Sequence, residues 1–127
     1  MKATDLQQYQ NRFSDNGFWN KVKKAAAKAG AQLIYIALIL YYELTDPTVS
    51  IKEKSIIIGA LGYFILPLDL IPDTIPVAGY TDDIAALTAA YEYVRVYLTP
   101  DVIRKAQNKM EELFGDIDFG SINPEAR

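Results

Sequence analysis

The chain has 127 residues, half of them apolar, with no cysteine and no histidine. A Ser-His-Asp triad, a cysteine nucleophile and a Cys/His zinc site are therefore excluded, and no side chain titrates near neutrality at its ordinary pKa. Thirteen basic against sixteen acidic residues give a net charge of -3, which argues against nucleic acid as a partner, because phosphate binding needs a basic surface.

The length suits a single helical domain over 1–127 with a core of its own, and the absence of cysteine means that no disulfide supports it. Charge is unevenly spread: residues 1–30 carry six basic and two acidic side chains, residues 31–127 seven and fourteen. The first thirty residues lack the apolar run of a secretory signal.

Leu6, Tyr9 and Phe13 are spaced for one helix face, with Thr4 and Gln7 in capping-box positions. Ser14-Asp15-Asn16-Gly17 reads as a stop and a turn. From Phe18 to about Leu44 the pattern predicts a long helix bent at Gly30. Its first half is amphipathic and its second half apolar nearly all round. Asp46-Pro47 restarts the chain, and Ser50-Ile51-Lys52-Glu53 is a second capping box. It opens an apolar helix that Pro67 closes. Thr81 or Asp82 caps a helix to Leu98 with a core stripe of Ile84, Leu87, Tyr91, Val94 and Leu98. Thr99-Pro100 then starts an amphipathic helix with Val102, Ala106, Met110, Leu113 and Phe114 inward, ended by Gly115. Residues 116–127 form a tail of turn-type composition. No segment alternates with period 2, so the fold class is all-α. The expected fold is a small bundle of about five helices around an apolar hairpin (31–44 and 51–66), with helices at 82–98 and 100–114.

Tyr35, Tyr41, Tyr42, Tyr91, Tyr93 and Tyr97 predict an aromatic cluster between helices. Gly59 and Gly62 are three apart, which is not the membrane GxxxG spacing. They allow close helix approach, as Ala85, Ala86, Ala89 and Ala90 do on the helix expected to face them.

The uncharged runs of the hairpin, about 12 and 14 residues, reach roughly 18 to 21 Å against ~30 Å of hydrocarbon. Core helices more often have this length than spans do. Three readings remain: a buried hairpin, peripheral attachment and an integral membrane hairpin. Lys21, Lys23, Lys24 and Lys28 are either a solvated helix face or an anionic-lipid patch.

The segment 59–83 stands out. Pro67, Pro72 and Pro76 block continued helix, and Asp69, Asp73, Asp82 and Asp83 accompany them in an apolar connector. The run Leu66-Pro67-Leu68-Asp69-Leu70-Ile71-Pro72-Asp73, followed by Pro76, Gly79, Asp82 and Asp83, resembles the YkvA-like family (domain of unknown function 1232). The resemblance covers roughly residues 55–92. It implies membrane association in many members and no established activity.

Two readings of the aspartates compete. As caps, Asp82 and Asp83 sit in the first turn of the following helix, and Asp69 and Asp73 satisfy N–H groups freed at the prolines. As a site, the carboxylates converge to hold Mg²⁺ or Ca²⁺ or to form a general acid or base, with Tyr63 and Tyr80 nearby. The spacing does not match an EF-hand loop. The reading carried forward is a non-enzymatic scaffold or interaction module, cytoplasmic or peripheral at the cytoplasmic membrane face, with no cofactor. Its partner is an unidentified protein or a membrane surface, and its oligomeric state is open.

Overall fold

A computed structural model describes residues 3–26, 30–65 and 78–122, and for residues 3–5, 8, 11 and 78–83 it describes the backbone alone. The chain opens with a 3₁₀ helix, Ala3–Arg12. It continues with α1 (Asp15–Ala26), α2 (Ala31–Leu44), α3 (Ile51–Ile65), α4 (Ala78–Val94), α5 (Pro100–Phe114) and the short α6 (Phe119–Ile122). A 3₁₀ turn, Arg95–Tyr97, ends α4. No strand occurs among the described residues. The molecule is an all-α bundle.

The apolar helix α2 is its axis. Every side chain from Leu33 to Leu40 is buried, because α3, α4 and α5 all pack against this helix and α1 and α6 also touch it. A helix apolar all round can be buried all round, and here the chain's own helices bury it. The buried residues of the 3₁₀ helix and of α1 to α5 form one core. No helix among the described residues is long and apolar enough to cross a membrane.

The expected long helix over 18–44 is two helices. Gly30 precedes α2 in an extended conformation (φ -69°, ψ 153°), so it marks a break rather than a bend. Ser14 begins a helix where a stop was expected. Its Oγ accepts from the Gly17 N–H at 3.0 Å, and its carbonyl accepts from the Phe18 N–H at 2.9 Å. Ser, Asp and Asn suit a turn and an N-cap equally, and here the cap prevails.

The start of α3 falls at the predicted capping sequence, with the Lys54 N–H on the Ser50 carbonyl at 3.0 Å. The start of α5 follows its Thr99-Pro100 signal, with Thr99 Oγ1 accepting from the Val102 N–H at 3.3 Å. Gly115 closes α5 at φ 79°, where a side chain would be strained. α4 starts earlier than predicted, at Ala78, and its buried stripe is rotated. Ala86, Leu87, Ala90, Tyr91 and Val94 face the core, while Ile84 is exposed and Leu98 half-buried. Small Ala86 and Ala90 let α4 approach its neighbours on a face that a stripe of large residues would not pick out. Part of the tail is packed: the Phe119 ring lies 5.4 Å from that of Tyr35.

The 3₁₀ helix runs beside α3, and the glycines of α3 make room for it. A Cβ at Gly59 would lie 1.9 Å from the Leu6 carbonyl oxygen, and one at Gly62 would lie 2.1 Å from that of Tyr9. Ten residues is long for 3₁₀ geometry, whose hydrogen bonds are poorer than those of an α-helix. The geometry does align residues three apart in one row, so Leu6, Tyr9 and Arg12 present to α3 together. Gln7 Nε2 donates to Ser55 Oγ at 2.7 Å, and the Tyr9 and Tyr63 rings meet edge to face at 4.9 Å. The close approach expected of Gly59 and Gly62 is therefore real, but its partner is the N-terminal segment, not the alanines of α4.

Aromatic packing joins α1, α2 and α3. The buried Phe18 stacks on Tyr41 at 4.6 Å, meets Trp19 edge-on at 5.0 Å and lies 6.0 Å from Phe64. Of the six tyrosines expected to cluster, Tyr41 and Tyr42 belong here, Tyr35 pairs with Phe119, and Tyr97 is exposed.

Candidate functional site

Three of the four residues proposed as a basic patch are described, and they differ. Lys23 and Lys24 are exposed on α1. Lys21 is a correction to that patch: it is buried, its Nζ donates to the Phe64 carbonyl at 2.5 Å and lies 5.0 Å from the centre of the Phe64 ring. It serves a carbonyl of the last turn of α3, where a cation is favoured. Lys28 lies outside the described residues.

The connector that carries the family resemblance lies largely outside them too. This applies to Asp69, Asp73, Pro67, Pro72 and Pro76. Asp82 and Asp83 belong to α4, as does Gly79, but their side chains are not described. Among the described residues, no three acidic side chains come together as a metal-ligand set.

The structure brings a different group together at one end of the bundle. The turn after α2 and the start of α5 enclose a groove of about 520 Å³, with Tyr42, Asp46 and Thr48 on one wall and Thr99, Asp101 and Lys105 on the other. Both of its carboxylates are engaged. Asp46 Oδ1 accepts from the Thr48 N–H at 2.9 Å and from its hydroxyl at 2.8 Å. These two bonds, with help from Lys105 and Lys54, hold the Asp46 carboxyl below its ordinary pKa. Asp101 pairs with Arg104, one turn along α5.

Beside the groove are three of the four large exposed hydrophobic residues of the described chain: Ile51 (86% exposed), Val96 (76%) and Tyr97 (49%). Ile51 is three residues from Thr48 and Tyr97 two from Thr99, so all three lie within about 15 Å of the lining by chain length alone. Lys52 and Lys54 follow Ile51, and Arg95 precedes Val96.

Behind the groove sits Glu43, in the last turn of α2. It is 0% exposed, and neither carboxylate oxygen has a hydrogen-bond partner among the described residues. Burial pushes its carboxyl up to about 7, and the negative charge of Asp46 adds to the effect. Sequence reading missed both Glu43 and the groove. Glu43 is the one acid in an otherwise apolar helix, three, four and seven residues from Leu40, Ile39 and Ile36. That spacing was the available signal, since it puts the acid on a face with nothing to pair it.

The raised pKa has a definite sign in stability. Below the unfolded value of 4.5 both states hold the proton. Between 4.5 and about 7 only the folded state does, so stability falls as pH rises, and above 7 the loss is complete. At 1.36 kcal/mol per pKa unit this amounts to about 3 kcal/mol. Denaturant unfolding of Glu43→Gln is therefore expected to match the native chain near pH 4.5 and exceed it by about this amount at pH 8. Equal pH slopes for the two proteins would rule the assignment out.

Together these features define a small all-α bundle built on a self-covered apolar helix, with a groove and exposed apolar residues at one end. A family model described as protein of unknown function (DUF1232) matches residues 53–89 of the chain. The match takes in α3 with its two glycines and the first part of α4. No curated protein and no solved structure matches the chain.

Proposed function

We propose that the chain is a non-enzymatic interaction module, a helical scaffold held peripherally on the cytoplasmic face of a membrane. The observation that carries this reading is the placement of Ile51, Val96 and Tyr97 in solvent at the end that also bears Lys52, Lys54, Arg95 and Lys105. Apolar side chains with cations nearby in the chain suit the boundary between acyl chains and anionic headgroups. Exposed Lys23 and Lys24 add charge on α1. The apolar hairpin is occupied in the core, so attachment falls to surface residues. The non-enzymatic part rests on the groove's carboxylates, which are engaged by Thr48 and Arg104 rather than aimed at open space.

Flotation with phosphatidylcholine vesicles, with and without phosphatidylglycerol, tests this. Binding is expected only with the anionic lipid and is expected to weaken as salt rises. Lys23→Gln/Lys24→Gln should weaken it about 30-fold, at ~1 kcal/mol per lysine. Ile51→Ser/Val96→Ser should weaken it by at least about tenfold through lost apolar burial. Failure to float with anionic vesicles would sink the membrane part and leave a protein partner as the occupant of this end.

A further inference from the structure

Glu43 has no part in the surface reading, yet among the described residues it is the fully buried acid whose two oxygens lack a hydrogen-bond partner. An ionised carboxylate with neither oxygen bonded is not stable in an apolar interior. It must either keep its proton or reach water. The route to water is short: its neighbours Tyr42, Thr45 and Asp46 all line the groove. The intervening corner, residues 45–50, is tied by bonds within itself and to the last turn of α2: besides the two Thr48 bonds to Asp46, the Thr45 N–H donates to the Tyr41 carbonyl at 3.3 Å, and Val49 is buried. The Thr45 hydroxyl donates to the Tyr42 carbonyl at 2.8 Å, the Asp46 N–H to the Glu43 carbonyl at 3.0 Å, and the Val49 N–H to the Asp46 carbonyl at 3.3 Å.

We propose that Glu43 makes the α2–α3 corner a proton-linked latch: the neutral acid packs in the core and keeps the corner closed, and loss of its proton to solvent opens the corner into the groove. Charged groups on the elements packed against α2 include Glu53 and Lys54 of α3, Asp101, Arg104 and Lys105 of α5, and Lys109 and Glu112 of α5, which act on the adjacent Tyr42; Asp46 lies in the corner itself. α1 contributes Asp15, which accepts from the Tyr41 hydroxyl, and α4 ends in the Glu92–Arg95 pair. Of these, Asp46 is the one whose charge acts on Glu43. It favours the protonated, closed form. The two Thr48 hydrogen bonds, with smaller help from Lys105 and Lys54, favour the ionised form of Asp46.

The linkage fixes the size of the effect. While the closed form holds the proton and the open form does not, the opening equilibrium rises about tenfold per pH unit, and it levels off once both are ionised. Amide hydrogen exchange of the full chain, expressed as protection factors to remove the intrinsic pH dependence of exchange, reads this directly. Protection at residues 45–54 should fall about 40-fold from pH 5 to pH 7 in the native chain and stay constant in Glu43→Gln. Asp46→Asn should move the midpoint to lower pH, which a purely structural role for Asp46 would not do. Carboxyl-carbon NMR of the native chain needs no variant, and there Glu43 should titrate at about 7, well above its ordinary 4.5. If every glutamate titrates in the ordinary range, or if the native chain and Glu43→Gln lose protection alike, the latch is overturned.

Discussion

Gly59→Ala is expected to destabilise the protein by about 2 kcal/mol, although alanine is the better helix former by roughly 1 kcal/mol. The reversed sign comes from what the new methyl group would meet. A Cβ at this position falls 1.9 Å from the Leu6 carbonyl oxygen and 2.5 Å from its carbon, both backbone atoms that no rotamer change can move. The 3₁₀ helix must lift away from α3, giving up the Gln7–Ser55 bond and the Tyr9–Tyr63 contact. Hydrogen exchange or chymotrypsin cleavage within residues 3–12 should accelerate together with the loss in denaturant midpoint. Gly30→Ala is the matched control. Nothing lies within 4 Å of its added methyl group and its negative φ admits alanine, so stability should change by less than about 1 kcal/mol, the loss of unfolded-state freedom being offset by alanine's poorer fit to the N-cap position. Equal behaviour of the two variants would show that the close approach at Gly59 has no energetic weight.

Phe18→Ala should cost more, about 3–5 kcal/mol and on the order of 10–20 °C in Tm. Phe18 is fully buried where three helices meet, with Tyr41 of α2 stacked on it and Phe64 of α3 beside it. Truncation leaves a cavity that cannot collapse from one side without pulling on the other two. The loss should also appear as weakened near-ultraviolet circular dichroism, since Trp19 and Tyr41 both take their orientation from this ring. Phe18→Leu, which keeps most of the volume, should lose less than half as much. A melting temperature unchanged in Phe18→Ala would mean that these helices are held elsewhere.

The helices were legible where periodicity and caps agreed. Thr99-Pro100 gives the start of α5 and Gly115 its end, because each residue type does something its neighbours cannot do at that position. Burial of α2 was legible from its lack of a polar face. The misreadings have physical causes. Periods of 3.0 and 3.6 coincide over Leu6 and Tyr9, so a short segment does not separate 3₁₀ from α geometry. Ser14-Asp15-Asn16 satisfies a turn and an N-cap with the same side chains. Ile84 looks like core by size, yet two alanines hold the inward face. As for the site, exposed Lys23 and Lys24 were legible as charge. The groove was not, since Tyr42 and Lys105 meet only after α2 and α5 have packed. Glu43 was hidden by the ordinary expectation that an acid near a helix end is solvated.

The trough cut by Gly59 and Gly62 lies inside the stretch 53–89 that defines the family match, whereas the segment that fills it lies at 3–12, outside that stretch. Half of this joint thus lies within the matched segment and half outside it. A protein that kept the two glycines but lost the filling strip would carry an open slot lined by bare helix backbone. One that kept the strip but enlarged either glycine would have nowhere to lay it. The two halves can persist only as a matched pair, so change at position 59 or 62 should be accompanied by change in the first dozen residues.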